Sequence, residues 1–388
     1  MDRRGPGRRR RVVAGVVILE IVVAIAGAYQ LFATVACLAF RRGQGSGARG
    51  QTPGASVLKP IHGVDAALRD AIRSHTSLNG EYELLCGVRS GDAAAAVIAE
   101  FPTVKMVECT TITPNGKVGS LIDLARAARY PILIVNDADI RVPPDYLSHV
   151  IPPLDDPRVG LVTCLYRPEG DTLAARFEGL GVSTDFAPST LVARMVGVDE
   201  FALGSTMAFR RADLDRIGGF EAIADYLADD YQLGHRIHAL GLKCVLSDTV
   251  VTTRLSGGWA DVWRHQVRWA RTVRVSKFWG YLGLPLTFAT VWAIAAFIGG
   301  YFWLAAGLLA ARMLMATAAG WFVLKSPDVL RLWLLIPLRD LFGAAIWLAG
   351  LFGATVSWRG HSLALNQDGR IRPRRRREEP PAPHGADK

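Results

Sequence analysis

Ile134-Val135-Asn136-Asp137-Ala138-Asp139 sets two carboxylates, one residue apart, directly behind an apolar run. If that run is a strand, both Asp side chains emerge close together where the strand leaves its sheet. Such a pair suits Mg²⁺ or Mn²⁺, hard cations that take oxygen ligands and usually keep substrate phosphates in their shell. An ion held there would neutralise charge on a departing nucleoside diphosphate. Two acidic residues after a buried strand also describe a solvated turn, so the pair takes its meaning from the rest of the chain.

Four further places carry candidate chemistry. Asp92, in Arg89-Ser90-Gly91-Asp92, can hydrogen-bond a uracil or ribose, or cap the helix that starts at Ala93. Lys117, in Asn115-Gly116-Lys117-Val118, stands just before a helix, where it can meet a diphosphate or be solvated. Leu227-Ala228-Asp229-Asp230-Tyr231 opens an amphipathic helix running through Ile237 and Leu240. Acidic residues at a helix start are favoured by the helix dipole. The chemical alternative makes Asp230 the general base that takes the proton of an attacking hydroxyl, with Asp229 supporting it or capping the helix. Finally, Trp263-Arg264-His265-Gln266-Val267-Arg268-Trp269-Ala270-Arg271-Thr272-Val273-Arg274 spaces cations and aromatics at helical intervals. That is the pattern of an amphipathic helix at headgroup level. It is also compatible with Arg268 meeting a diphosphate leaving group and Trp269 packing beside an acceptor.

These residues need a frame. Between about Gly54 and Thr253, short apolar runs alternate with helical patterns. Strands are expected at 56–58, 83–88, 104–107, 132–135 and 160–165, and helices at 66–74, 93–100 and 118–128. The alternation predicts an α/β fold with a mostly parallel, doubly wound sheet and ligands at the carboxyl ends of its strands. There is no internal repeat. Five cysteines, Cys37, Cys86, Cys109, Cys164 and Cys244, form no C-x-x-C pair and suggest buried, reduced thiols rather than a zinc site.

The chain has 388 residues, a hydrophobic content of 50%, a mean hydropathy of +0.21 and a net charge of +10. The apolar surplus sits at both ends. Val12 to Phe40 is long enough to cross a bilayer, which takes about 20 residues. Arg41-Arg42 follows it in place of a cleavage site, so it is expected to be a retained anchor, with Glu20 inside it. Leu282 to Leu324 has Arg312 as its only charge and reads as two helices turning near Gly299-Gly300 or near Arg312. A third stretch, Leu332 to Val356, is interrupted by Arg339-Asp340. The basic residues flank apolar segments, which points to an anionic membrane surface as a partner and away from nucleic acid.

Seven regions are expected: a basic segment (1–11), a transmembrane anchor (12–40), a linker (41–54), the catalytic domain (55–256), interfacial helices (257–281), two to three transmembrane or re-entrant helices (282–357) and a basic disordered tail (358–388). Arg3, Arg4 and Arg8 to Arg11 would place the N-terminus in the cytoplasm by the positive-inside rule. Chemistry that uses cytoplasmic nucleotide sugars places the middle domain there instead, and the expectation follows the chemistry.

With these residues in view, the chain resembles a membrane glycosyltransferase of the ceramide glucosyltransferase type, within the GT-A family 2/21 group. The resemblance covers roughly Ser56 to Gly283. Lys59-Pro60-Ile61-His62-Gly63-Val64-Asp65 matches the opening Lys-Pro-x-x-Gly-x-Asp motif. Asp92 falls on the aspartate associated with the nucleotide, Asp137 on the second, with Asp139 completing D-x-D, and Asp230 on the third. Leu203 to Arg211 and Gly218-Gly219-Phe220 resemble the segment leading to the base, and Arg268-Trp269 ends the (Q/R)-x-x-R-W motif. His265 stands where that motif has Gln or Arg, and its surroundings look more like the bacterial hopanoid-associated branch.

The resemblance implies an inverting, metal-dependent transfer of N-acetylglucosamine or glucose from a UDP-sugar to a membrane lipid, most of all a hopanoid polyol. It gives Asp137 and Asp139 to Mg²⁺ or Mn²⁺, and Asp92, Lys117 and Asp137 to the nucleotide sugar. Asp230, Arg268, Trp269 and His265 go to catalysis. It implies a multi-pass protein of the bacterial inner membrane with a cytoplasmic catalytic domain. Other readings are a ceramide glucosyltransferase, a processive polysaccharide synthase, for which the C-terminal helices are too few, and a non-catalytic membrane scaffold.

Overall fold

The computed structural model describes residues 6–43, 53–353, 355–358, 361–364, 366 and 368–372. Seven strands, β1 (Ala55–Pro60), β2 (Tyr82–Val88), β3 (Lys105–Glu108), β4 (Ile132–Val135), β5 (Val159–Gly170), β6 (Met207–Arg210) and β7 (Lys243–Leu255), form one sheet in the order β3-β2-β1-β4-β6-β5-β7. The pairs β1–β2, β1–β4, β2–β3 and β5–β7 are parallel, while β6 runs antiparallel to both β4 and β5. The five expected strands are all present. Two were not foreseen: β6, only four residues long, and β7, whose polar residues at Ser247-Asp248-Thr249 and Thr252-Thr253-Arg254 break its apolar pattern.

Both faces of the sheet are covered, which is why the central strands read as continuous apolar runs. Successive side chains point to opposite faces. Val57 and Ile134 pack on one side with Leu68, Ile72, Leu147 and Val150. Leu58, Leu133 and Val135 pack on the other with Val118, Leu121, Ile122 and Leu124 from the helix Gly116–Ala127. Each such buried side chain contributes roughly 1.5–3 kcal/mol relative to exposure. The second layer therefore fixes Lys117, at the start of that helix, relative to the end of β4.

The N-terminal helix runs Pro6–Gly43, beyond both ends of the expected anchor. Among the described residues, three helical segments are long and apolar enough to cross a membrane: Val17–Phe40, Phe302–Val323 and Trp333–Gly350. A fourth would be the pair Phe278–Thr287 and Ala289–Ile298, bent by 52°. The chain turns at Gly299-Gly300. Arg312 is no turn: it lies inside the helix Phe302–Thr317, fully buried. Its Nη2 donates to Asp340 at 2.7 Å, and its Nη1 donates to the Thr184 carbonyl at 2.9 Å. Asp340 also accepts from the Thr290 amide at 3.1 Å and its hydroxyl at 2.7 Å. Arg339-Asp340 thus does not interrupt the third segment, because the Asp340 charge is paired within the protein, as intramembrane charges generally are. The five cysteines are free and buried.

One expectation needs correcting. The expected tail begins in ordered structure, since Thr355–Trp358 and His361–Ala364 form an antiparallel hairpin. Beyond it the Ile371 amide donates to the Asp225 carbonyl at 2.8 Å, and the Ile371 side chain is buried against Leu227. A β-bridge between Tyr226 and Arg370 and the bond from the Leu227 amide to the Gly369 carbonyl dock the same stretch. Arg3, Arg4, residues 44–52 of the expected linker and the tail arginines 374–377 lie outside the described residues.

Candidate active site

The polar residues gather where β4 ends. Asn136 is buried, and its Nδ2 donates to the Ser205 carbonyl at 2.7 Å, the Tyr146 hydroxyl at 3.1 Å and the Thr206 hydroxyl at 3.1 Å. This fastens the strand end to the segment entering β6. Asp137 follows, and its amide donates to the Gly204 carbonyl at 3.3 Å. The Gly204 amide donates in turn to Asp230 Oδ2 at 3.1 Å, and the Tyr231 amide donates to Asp230 Oδ1 at 2.7 Å. Asp230 lies in the first turn of the helix Asp229–Ala239, as expected.

Lys117 joins the two aspartate segments. Its ammonium lies 2.7 Å from Asp137 Oδ1 and 2.8 Å from Asp229 Oδ2. Burial opposes this charge, but Asp137, Asp229 and Asp230 outweigh it and raise the Lys117 pKa. Asn115 sets up the contact. Its Oδ1 caps the helix by accepting from the Lys117 amide at 3.1 Å, and its Nδ2 donates to the Tyr226 carbonyl at 2.8 Å, just ahead of Asp229. Burial pushes the Asp230 carboxyl up to about 6, with Asp229 adding to the shift and Lys117 opposing it. A carboxylate poised near neutrality is what a general base needs.

Asp139 turns elsewhere and accepts a hydrogen bond from the Thr253 hydroxyl of β7. Burial raises its pKa, and the neighbouring Asp137 raises it further. Among the described residues, no three or more His, Cys, Asp or Glu side chains are grouped to hold a metal ion by themselves. The pair nevertheless fits a hard divalent cation, since such ions are commonly held by one or two carboxylates plus substrate phosphates. The same corner already attracts a cation in the Lys117 ammonium.

Lys59 is a residue whose place the sequence did not disclose. It is fully buried in β1, and its ammonium donates to the carbonyls of Asp137 at 2.9 Å and Ile140 at 3.2 Å. It therefore clamps the backbone of the D-x-D turn from beneath. Burial lowers its pKa to about 8, against the attraction of Asp139 and Asp137. A lysine inside the apolar run Ser56-Val57-Leu58-Lys59 was the available signal.

Asp92 lies half-buried in a different corner. Its two oxygens accept from the Gly63 amide at 3.0 and 2.9 Å, and Oδ1 also accepts from the Ala94 amide at 2.9 Å. It thus performs the capping role and also holds the opening motif, in which Gly63 has φ +71°. No direct contact joins it to Asp137 or Asp230 among the described hydrogen bonds and ion pairs.

The helix Trp259–Ser276 carries His265, Arg268 and Trp269. The His265 and Trp269 rings are 4.6 Å apart, Trp269 lies 6.4 Å from Phe186, and Phe186 lies 5.4 Å from Tyr166. Burial raises the Tyr166 pKa, with Asp230, Asp137, Asp139 and Glu178 adding to it. Tyr166, on β5, is thus joined through Phe186 to the aromatic helix.

Comparisons with known proteins agree in kind. A family model described as Glycosyl transferase family 21 matches residues 16–371. Ceramide glucosyltransferase 1 of Caenorhabditis elegans is 25% identical over 353 residues, covering 82% of this chain and 73% of the relative. Beta-monoglucosyldiacylglycerol synthase of Trichormus variabilis is 25% identical over 238 residues, 57% of this chain and 49% of the relative. A solved mannosyltransferase from Pyrobaculum calidifontis, in complex with GDP-Man and Mn²⁺, is 19% identical with a TM-score of 0.48, covering 85% of this chain and 97% of that one.

Proposed function

The chain belongs to glycosyl transferase family 21, and from that premise we propose that it transfers a sugar from a UDP-sugar to the hydroxyl of a membrane lipid with inversion. The donor sugar is N-acetylglucosamine or glucose, and the acceptor is a hopanoid polyol. The observation that carries the reading is the convergence of Asp137, Asp230 and Lys117 around Gly204, beside helices long and apolar enough to cross a membrane.

In this mechanism Asp230 accepts the proton of the acceptor hydroxyl as its oxygen attacks the anomeric carbon, and the bond to the diphosphate breaks. Lys117 and Arg268 offer positive charge to the leaving diphosphate, Asp92 orders the nucleotide side and Trp269 packs beside the acceptor. Asp137 and Asp139 are the residues that would hold Mg²⁺ or Mn²⁺, which when bound supplies further charge against the diphosphate. The catalytic domain faces the cytoplasm, where the donor is made, and the protein sits in a bacterial inner membrane with an anionic surface.

A second reading, glucose transfer to ceramide, is favoured by the Caenorhabditis elegans relative, which covers most of the chain. The test uses the purified protein in lipid nanodiscs, with labelled UDP-N-acetylglucosamine or UDP-glucose. Each donor is offered with a hopanoid polyol, ceramide or diacylglycerol, with and without EDTA. EDTA-sensitive label in the hopanoid supports the proposal. Label in ceramide from UDP-glucose transfers support to the second reading, and label in no lipid overturns both.

A further inference from the structure

Glu178 is 3% exposed, and its Oε1 meets two neighbours on the helix Trp259–Ser276. His265 Nδ1 lies 2.6 Å away, and Gln266 Nε2 donates to the same oxygen at 2.9 Å. Gln266 is held from its other side by Arg339, whose Nη2 donates to Gln266 Oε1 at 3.0 Å. The carboxylate is therefore built into the junction between the catalytic domain and the membrane helices.

An ionised carboxylate only accepts hydrogen bonds, so the His265 nitrogen facing it must carry the proton. In neutral imidazole this leaves Nε2 bare, an acceptor with a lone pair. The His265 side chain is 29% exposed, whereas Glu178 is sealed off. Its ring lies against Trp269, from which Phe186 and Tyr166 lead on to β5 of the catalytic domain.

We propose that Glu178 and His265 form a recognition pair for a second hydroxyl on the acceptor lipid. Glu178 fixes the tautomer, and His265 Nε2 accepts a hydrogen bond from a head-group hydroxyl other than the one that attacks. The preferred acceptor class is then a lipid with a polyhydroxylated head, and lipids with a single hydroxyl gain nothing from the pair. The inference rests on the lipid transferase reading above and deepens it. Glu178 is a positioning residue, acting through His265.

Glu178→Gln tests this. Both neighbours meet the same Oε1, so a Gln amide nitrogen at that place gives up the Gln266 contact and donates to His265 Nδ1, which moves the proton to Nε2 and removes the acceptor. The full-length protein in nanodiscs is assayed with a hopanoid bearing several hydroxyls and one bearing a single hydroxyl, and likewise with ceramide and its 3-deoxy analogue. The expected result is a rise of about tenfold in KM for the polyhydroxylated member of the productive pair, the scale of one lost hydrogen bond. KM for the single-hydroxyl member and for the donor stays unchanged. An equal rise for both members overturns the recognition role while leaving the transferase intact. No label in any lipid with the native protein overturns the transferase reading itself. Independently of turnover, ¹⁵N spectra of the native protein are expected to show His265 protonated at Nδ1 alone when neutral, and protonation at Nε2 would overturn the proposal.

Discussion

Asp137 and Asp230 face one another across the bare Cα of Gly204. A methyl group added to Gly204 would lie 2.8 Å from Asp137 Oδ2 and 3.5 Å from Asp230 Oδ2. The two carboxylates come from segments more than ninety residues apart in the chain, and only glycine allows their present separation. Gly204→Ala is therefore expected to lower kcat about tenfold or more by displacing Asp137, with little change in thermal stability. The check is steady-state turnover beside a melting curve. Native-like turnover would show that this spacing is not critical.

Removal of the proposed base has a different signature. Asp230→Asn is expected to lower kcat by about 10²–10⁴-fold, the usual worth of general base catalysis, while UDP-sugar binding measured by calorimetry persists. Loss of donor binding equal to the loss of turnover would move Asp230 from the base to the donor site.

The pH profile follows from the environment of the same residue. Because burial pushes Asp230 up to about 6, kcat/KM is expected to rise with pH through about 6 and to level off above it. An unperturbed aspartate, near 3.9, would put that limb about two units lower. Stability runs the other way. The folded pKa lies above the unfolded one, so the native state holds the extra proton between roughly pH 4 and 6, and this group's contribution falls as pH rises through that window. A plateau already reached at pH 5 would exclude Asp230 as the base.

Lys117→Met removes the cation shared by Asp137 and Asp229. The expected outcome is a donor KM raised about tenfold or more, the scale of a charge-assisted contact, together with a lower melting temperature. An unchanged donor KM would confine Lys117 to a structural role.

Arg312 and Asp340 offer a test of the membrane part alone. Arg312→Leu strands the Asp340 carboxylate and also unpairs Asp185, and is expected to cost about 3–5 kcal/mol, whereas the double change with Asp340→Leu should recover only the part due to Asp340. Thermal unfolding in nanodiscs measures both. If the two variants lose stability equally, the pair is not the origin of the effect.

The sequence and the structure diverge in instructive places. β1 to β5 were readable because each is an apolar run closed by turn residues. β7 was not, because Ser247, Thr252 and Thr253 fill buried positions on it, and its pairing with β5 and with Arg141 is what holds them there. The D-x-D pair and the Asp229-Asp230 helix start stood out as spacings. That Lys117 bridges them, and that Lys59 supports the turn from below, depends on contacts between residues 20 to 112 positions apart, which no local pattern encodes. Arg312 misled for a related reason. A lone charge in an apolar stretch suggests a turn, yet its partners lie 28 and 128 residues away.

That last contact has a mechanical consequence. Thr184 and Asp185, both bonded to Arg312, belong to the π-helical turn Val182–Phe186 that also presents Phe186 to Trp269. A transmembrane helix thus grips the rim of the reaction chamber directly, and does not merely moor it. The arrangement is that of a depth gauge, in which the level of the Phe186–Trp269 pair along this apolar helix is set by protein contacts and not by lipid.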